Sequence, residues 1–338
     1  VPGLGEPERL QDRDVVVTRG SGGRQLEWVV VGCVLALLLA VPIVISVTSD
    51  ESGRTTVTGA GAEGSAGDDP GSVRLAAPVP DGDDGPQPQP SPTGQARAAV
   101  LAAEAAAAPN MELAVAVYDR ATRESAVGDR GTEPFYTASL AKIVVAIDML
   151  DRRRSAGLTI TDEDVALLRR ALGPSDDSAM NALWTKFDGQ GAAARVSQRL
   201  KLTGTSAPRE FGQWGEMSVP AIDFVRIWRY VLEEMPSADR DLMISAMDAA
   251  PDIARDGFNQ AFGLLSPAVR GPGGPGAVAK QGWMCCFSGE TYLHSSGAVG
   301  ADDRYLVVLL TREPKGPGWE AARRGLDDVA DAAVRALG

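Results

Sequence analysis

One histidine, His294, stands among 338 residues, beside three cysteines and five lysines. A Ser-His-Asp triad would have to use that single imidazole, and a metal site built from several histidines is excluded. Three cysteines cannot form a disulfide framework and do not have zinc spacing. Cys33 lies in an apolar run, and Cys285 and Cys286 are adjacent. A bridge between sequence neighbours is strained, so that pair is expected as two reduced thiols on a strand. Aromatics are sparse, at 5%. Basic residues are outnumbered, 33 Lys and Arg against 45 Asp and Glu, for a formal net charge of -12. That balance argues against nucleic acid as the main partner, because phosphate binding wants a basic face. Apolar residues make up 44% of the chain, enough for a proper core in one large or two small domains.

Residues 1–27 are polar and irregular and read as a cytoplasmic tail. Trp28 to Val47 is an uncharged apolar run of the length that spans a bilayer. Arg9, Arg13, Arg19 and Arg24 precede it and only Arg54 follows closely. The expectation is a single-pass membrane anchor over 28–47 with an extracytoplasmic domain behind it; a cleaved signal peptide is the rival. Val30-Val31-Gly32-Cys33 looks like a lipobox, but the apolar stretch follows the cysteine instead of preceding it, which argues against lipidation. Residues 48–95 are rich in Gly, Pro, Ser, Asp and Thr and include Pro86-Gln87-Pro88-Gln89-Pro90. Such a segment buries too little apolar surface to offset its ordering entropy and reads as a disordered linker.

A folded domain is expected over 96–338. Ala96 to Ala108 reads as a helix, and Leu113 to Tyr118 with Glu124 to Gly128 as a hairpin. Helical patterns follow, among them Thr161 with an acidic first turn behind it and Val219 to Glu234 with Ser218 as its cap. Val278 to Cys286, Glu290 to Ala298 and Arg304 to Thr311 read as three late strands, and Trp319 to Leu337 as a closing amphipathic helix. Strands early and late with helices between them predict an α+β fold: a five-stranded antiparallel sheet covered by the terminal helices, with a helical subdomain.

Chemistry points to Ser139-Leu140-Ala141-Lys142, which runs into the apolar Ile143, Val144, Val145, Ala146 and Ile147. On a helix starting near Ser139, Lys142 lies one turn on and faces the same way, a workable nucleophile and base. An isolated SxxK arises by chance roughly one time in three in such a chain. Two further boxes accompany it: Ser175-Asp176-Asp177 ahead of a helix, and Lys280-Gln281-Gly282-Trp283 on a strand. Together the three resemble the SxxK, SDN and KTG boxes of class A β-lactamases and penicillin-binding proteins, over residues 96–338.

The resemblance implies a serine hydrolase that needs no metal or cofactor, and the anchor reading places it outside the cytoplasm. Its substrate would be a β-lactam or a peptidoglycan peptide. Ser139 would be the acylated nucleophile and Lys142 its base. Ser175 would pass a proton to the leaving nitrogen, and Lys280 would supply positive charge for a substrate carboxylate. Asp177, Gln281 and Gly282 would contact substrate, and backbone N–H groups of Ser139 and Trp283 would form the oxyanion hole. The chain departs from the family in three places: Asp177 stands where Asn is usual, Gln281 where Thr or Ser is usual, and the loop Arg209 to Glu216 lacks the ExxLN pattern carrying the deacylating glutamate. Glu210 and Glu216 are the candidate substitutes. These departures predict slow deacylation; the alternative is a weak or inactive module that binds cell-wall peptide or a protein partner. His294 alternates on a strand and reads as structural, Trp184, Trp214, Trp228 and Trp319 as packing, and Asp302-Asp303 as a hairpin turn.

Overall fold

The computed structural model describes residues 94–287, 289–316 and 318–338. The tail at 1–27, the apolar run at 28–47 and all but the end of the linker at 48–95 lie outside the described residues. Seven strands are described: β1 (Glu112–Asp119), β2 (Ser125–Val127), β3 (Pro134–Tyr136), β4 (Ser218–Pro220), β5 (Ala277–Phe287), β6 (Glu290–Val299) and β7 (Tyr305–Pro314). Five of them form one sheet in the order β2-β1-β7-β6-β5, every pairing antiparallel. This is the expected α+β arrangement, and it leaves β5 at an edge.

β1 reads as an unbroken apolar run because both faces of the sheet are covered. Leu113, Val115 and Val117 pack with the terminal helices α1 (Gln95–Ala106) and α9 (Trp319–Arg335). Ala114, Ala116 and Tyr118 pack on the other side, against the helical layer. β7 divides the same way, with Val307 and Leu309 on one face and Leu306, Val308 and Leu310 on the other. In α9 the buried Leu326, Val329, Ala330 and Ala333 recur every three or four residues, the stripe one docked helix face requires.

The helical layer holds α2 (Ala141–Ser155), α3 (Asp162–Leu172), α4 (Asp177–Lys186), α5 (Ala192–Leu200), α6 (Ala221–Arg229), α7 (Ser237–Asp248) and the short α8 (Pro267–Arg270). α2 is buried from Ala141 through Asp151. A helix apolar on every side belongs inside a protein, and each large side chain it buries stabilises the fold by about 1.5–3 kcal/mol. Its two inward acids are paired: Arg195 holds Asp148 at 2.6 Å and Arg199 holds Asp151 at 2.7 Å. Thr161 and Asp164 form a reciprocal cap at the start of α3.

Two expectations are corrected. The helix expected over Val219 to Glu234 is divided. Ser218 and Val219 pair with Tyr136 and Phe135 across β3 and β4, α6 starts at Ala221, and a π-helical turn occupies Tyr230–Glu234. Ladder hydrogen bonds from a distant segment claim the residues that local pattern marks as a cap. Cys285 and Cys286, expected as reduced thiols, are joined in a vicinal disulfide. The β5–β6 register shifts between Cys285 and Phe287, and Cys286 adopts φ 70°; this irregular strand end lets adjacent side chains meet.

Candidate active site

β3 ends at Tyr136, and the chain then turns through a 3₁₀ segment, Ala138–Leu140, into α2. Ser139 therefore sits in the turn ahead of the helix and Lys142 in the first helical turn. Lys142 Nζ donates to Ser139 Oγ at 2.8 Å. Ala138 has φ 45° and Ser175 φ 56°. Left-handed backbone at residues bearing a Cβ costs of order 1–3 kcal/mol and persists only where surroundings over-determine it. Here Thr137 N–H donates to Met217 O at 2.8 Å, and Lys142 Nζ donates to Ser175 O at 2.8 Å. Asp176, capping α4 by accepting from Ala179 N–H at 3.1 Å, fixes the loop next to Ser175.

The second and third boxes converge on the first. Lys142 Nζ lies 3.1 Å from Ser175 Oγ and 2.7 Å from Asp177 Oδ1. Lys280 Nζ donates to Ser175 Oγ and to Gln281 O, each at 2.8 Å. Ser175 thus bridges two ammonium groups that are both almost fully buried. Burial pushes Lys142 below the ordinary lysine range, although Asp177 pulls the other way. Burial, with the like charge of Lys142, pushes Lys280 well below it.

The other sequence-predicted residues divide. Asp177 and Trp283 line a pocket of about 270 Å³ together with Ala138, Asn181, Gln213, Trp214 and Met284. Gln281 is fully buried, and its amide Nε2 donates to Phe262 O, so it does not contact the cleft. Gly282 serves close packing: a Cβ there would lie 2.9 Å from Thr137 O and 3.3 Å from Leu140 Cγ. Gly282→Ala must push β5 off the turn that carries Ser139, an expected loss of about 1–3 kcal/mol in denaturant unfolding; unchanged stability would refute that packing role. Glu210 is exposed and Glu216 is in the 3₁₀ turn Trp214–Glu216; neither lines the pocket.

Three contributors escape sequence reasoning. Trp214, read there as packing, has its ring 4.9 Å from Lys142 Nζ and donates Nε1–H to Asn181 Oδ1 at 2.8 Å. An indole thus covers the lysine on the side of the loop that carries the two glutamates. Asn181 is four residues from Asp177 on α4, a spacing that puts both on one face. Asp256 accepts from Trp283 Nε1 at 3.0 Å. A single polar residue in a Gly- and Pro-punctuated loop gives no local signal of such a role.

His294 is structural, as expected, and it also positions the site. Its Nε2–H donates to Tyr136 O at 2.7 Å, while Nδ1 accepts from Thr311 N–H at 3.2 Å. Both nitrogens are occupied by backbone, which leaves a Ser-His mechanism without its base. Burial lowers its pKa from 6.5 to about 4. The unfolded chain therefore binds the extra proton between those values, and stability falls as pH drops from 6.5 through 4. The expected loss is about 3 kcal/mol, and His294→Gln flattens that part of the pH–stability curve. An equally steep curve in the variant would show that His294 does not titrate this way.

No protein-family model matches the chain. It aligns at 32% identity over 213 residues with "Putative lipoprotein LppW" of Mycobacterium bovis and of Mycobacterium tuberculosis, spanning 62% of this chain and 66% of those proteins. Among solved structures, a class A β-lactamase from Bacteroides cellulosilyticus superposes with TM-score 0.57 at 12% identity, over 72% of this chain and 98% of that one. A β-lactamase from Sphaerobacter thermophilus superposes with TM-score 0.53 at 20% identity, over 72% and 97%. The fold is that of the class A β-lactamases. Shared fold at such identity leaves activity to be argued from the site. The single-pass localisation expected above is withdrawn: among the described residues no helix is long and apolar enough to cross a membrane, and the aligned relatives bear a lipoprotein's name.

Proposed function

We infer that this domain is a serine hydrolase of the β-lactamase and penicillin-binding class, acylated at Ser139 by β-lactams or peptidoglycan-like amides and slow to deacylate. The observation that supports it most is the buried Lys142 Nζ, 2.8 Å from Ser139 Oγ with its pKa lowered by desolvation. Once neutral, Lys142 accepts the Ser139 proton as Oγ attacks the carbonyl carbon. The backbone N–H groups of Ser139 and Trp283 receive the oxyanion, the role their family counterparts have. Ser175, 3.1 Å from Lys142 and 2.8 Å from Lys280, relays the proton to the leaving nitrogen as the carbon–nitrogen bond breaks.

For the second step, the loop side of the pocket carries no carboxylate among the described residues. Hydrolysis of the acyl-serine needs a carboxylate or similar base holding water, and the loop side of the pocket presents Gln213 and Trp214. That feature, with the lipoprotein name of the aligned relatives, supports the second reading, a module that captures cell-wall peptide without turning it over. Labelling with a fluorescent penicillin tests the first reading: the wild-type domain should take up the label and Ser139→Ala should not. Absence of label with every β-lactam would favour the binding module.

A further inference from the structure

A second polar cavity shares no wall residue with the pocket at Ser139. It measures about 420 Å³ and is walled by Arg199, Leu200, Lys201, Arg226, Arg229 and Glu234. Arg226 and Arg229, three residues apart on α6, share one face of that helix. α5 ends at Leu200, where Lys201 takes φ 55° and turns the chain, and Glu234 closes the π-helical turn that follows α6. Four cations thus meet one carboxylate on the wall, in a chain whose formal net charge is -12.

The acids behind the wall do not cancel that charge. Asp151 pairs with Arg199 at 2.7 Å, Asp223 with Arg226 at 3.1 Å and Glu233 with Arg229 at 3.4 Å. Asp151 is shared with Arg154 and Glu233 with Arg120, and Asp239, which Arg154 also reaches, is shared with Arg153. With Lys201 and Glu234 included, the network holds seven cations against five carboxylates. Each pairing also uses only part of a guanidinium, which carries five N–H donors. Arg199 and Arg229 engage their partners through Nε, and their terminal Nη groups have no protein acceptor among the described residues. Arg226 commits Nη1 to Asp223 and to the Lys201 carbonyl, which covers an oxygen at the negative end of α5. Lys201 is exposed and forms no ion pair among the described residues.

We propose that this cavity binds a small molecule bearing a phosphate or diphosphate group. A phosphate offers several oxygens and up to two charges to converging guanidinium forks, the pairing that arginine geometry matches. A single carboxylate has two oxygens and one charge, and leaves most of those donors unmet. The volume falls in the range of small-molecule sites, roughly 300–1,000 Å³. The phosphate can belong to a soluble compound or to a lipid headgroup, and the site does not depend on acylation at Ser139.

The test is titration calorimetry of the full chain with inorganic pyrophosphate at low ionic strength. Saturable one-site binding is expected, weakening as salt is added. Glu234→Gln removes the opposing charge on the wall and should tighten binding about two- to fivefold, a gain that a misfolded variant cannot produce. Lys201→Gln, which leaves no acid unpaired, should weaken binding by a similar factor, and Arg335→Gln on α9, where Asp331 is its partner, should leave it unchanged. Dihexanoyl phosphatidic acid, below its micelle concentration, and glycerol 3-phosphate separate the two sources. Lipid binding that exceeds that of the soluble ester and responds to Glu234→Gln assigns the site to a headgroup; equal or weaker binding assigns it to a soluble phosphate. The proposal is overturned by the absence of saturable pyrophosphate binding at millimolar concentration, or by acetate binding as tightly as pyrophosphate. Wild-type affinity in both Glu234→Gln and Lys201→Gln, or a loss in Arg335→Gln equal to that in Lys201→Gln, also overturns it.

Discussion

Lys142→Ala will slow acylation of Ser139 by about 10²–10⁴, the range that general-base assistance supplies. The proposed nucleophile, Ser139, is a buried hydroxyl with the Lys142 Nζ at 2.8 Å. Rate should also depend on pH with a definite sign. Lys142 acts as base only when neutral, so acylation rises as pH climbs through a pKa that burial sets below the ordinary lysine value. Asp177 opposes that effect by stabilising the ammonium at 2.7 Å. Asp177→Asn removes the opposing charge, and the ascending limb should move to lower pH. Pre-steady-state burst rates across pH measure both variants; a limb that stays put or moves upward would remove Lys142 from the role of base.

Turnover should be slower than acylation by a similar factor, about 10²–10⁴, so the acyl-enzyme accumulates with a chromogenic cephalosporin. The cause is geometric. Glu210 and Glu216 do not line the pocket, and Trp214 lies over Lys142 on that side. A burst equal to the enzyme concentration followed by a shallow steady state is the expected trace. Rapid multiple turnover would require another base in the cleft.

The sheet and terminal helices were legible because their signals are local. β1 and β7 are apolar runs, α9 has a stripe of period 3.6, and each expected boundary fell within a few residues of the observed one. That Ser139, Lys142, Ser175 and Lys280 would come together was legible because each lies in a short local box whose spacing is visible in the sequence. The β3–β4 ribbon was not, since three-residue strands carry no period and owe their existence to pairing between segments about 80 residues apart. Nor was the burial of Gln281, because whether a strand side chain turns to the cleft or to Phe262 depends on a loop packed from elsewhere. The same holds for Trp214 and Asp256, whose roles come from loop placement. The Cys285–Cys286 bridge depends on one left-handed residue at a strand end, which composition does not reveal.

Ser139 is proposed as a nucleophile activated by Lys142. Its most direct test is intact-mass and peptide mass spectrometry of the domain after incubation with a penicillin. One adduct per molecule, mapped to the peptide containing Ser139, persistent over many minutes and absent from Ser139→Ala, is the predicted result. No adduct, or one that forms equally in Ser139→Ala, would contradict it.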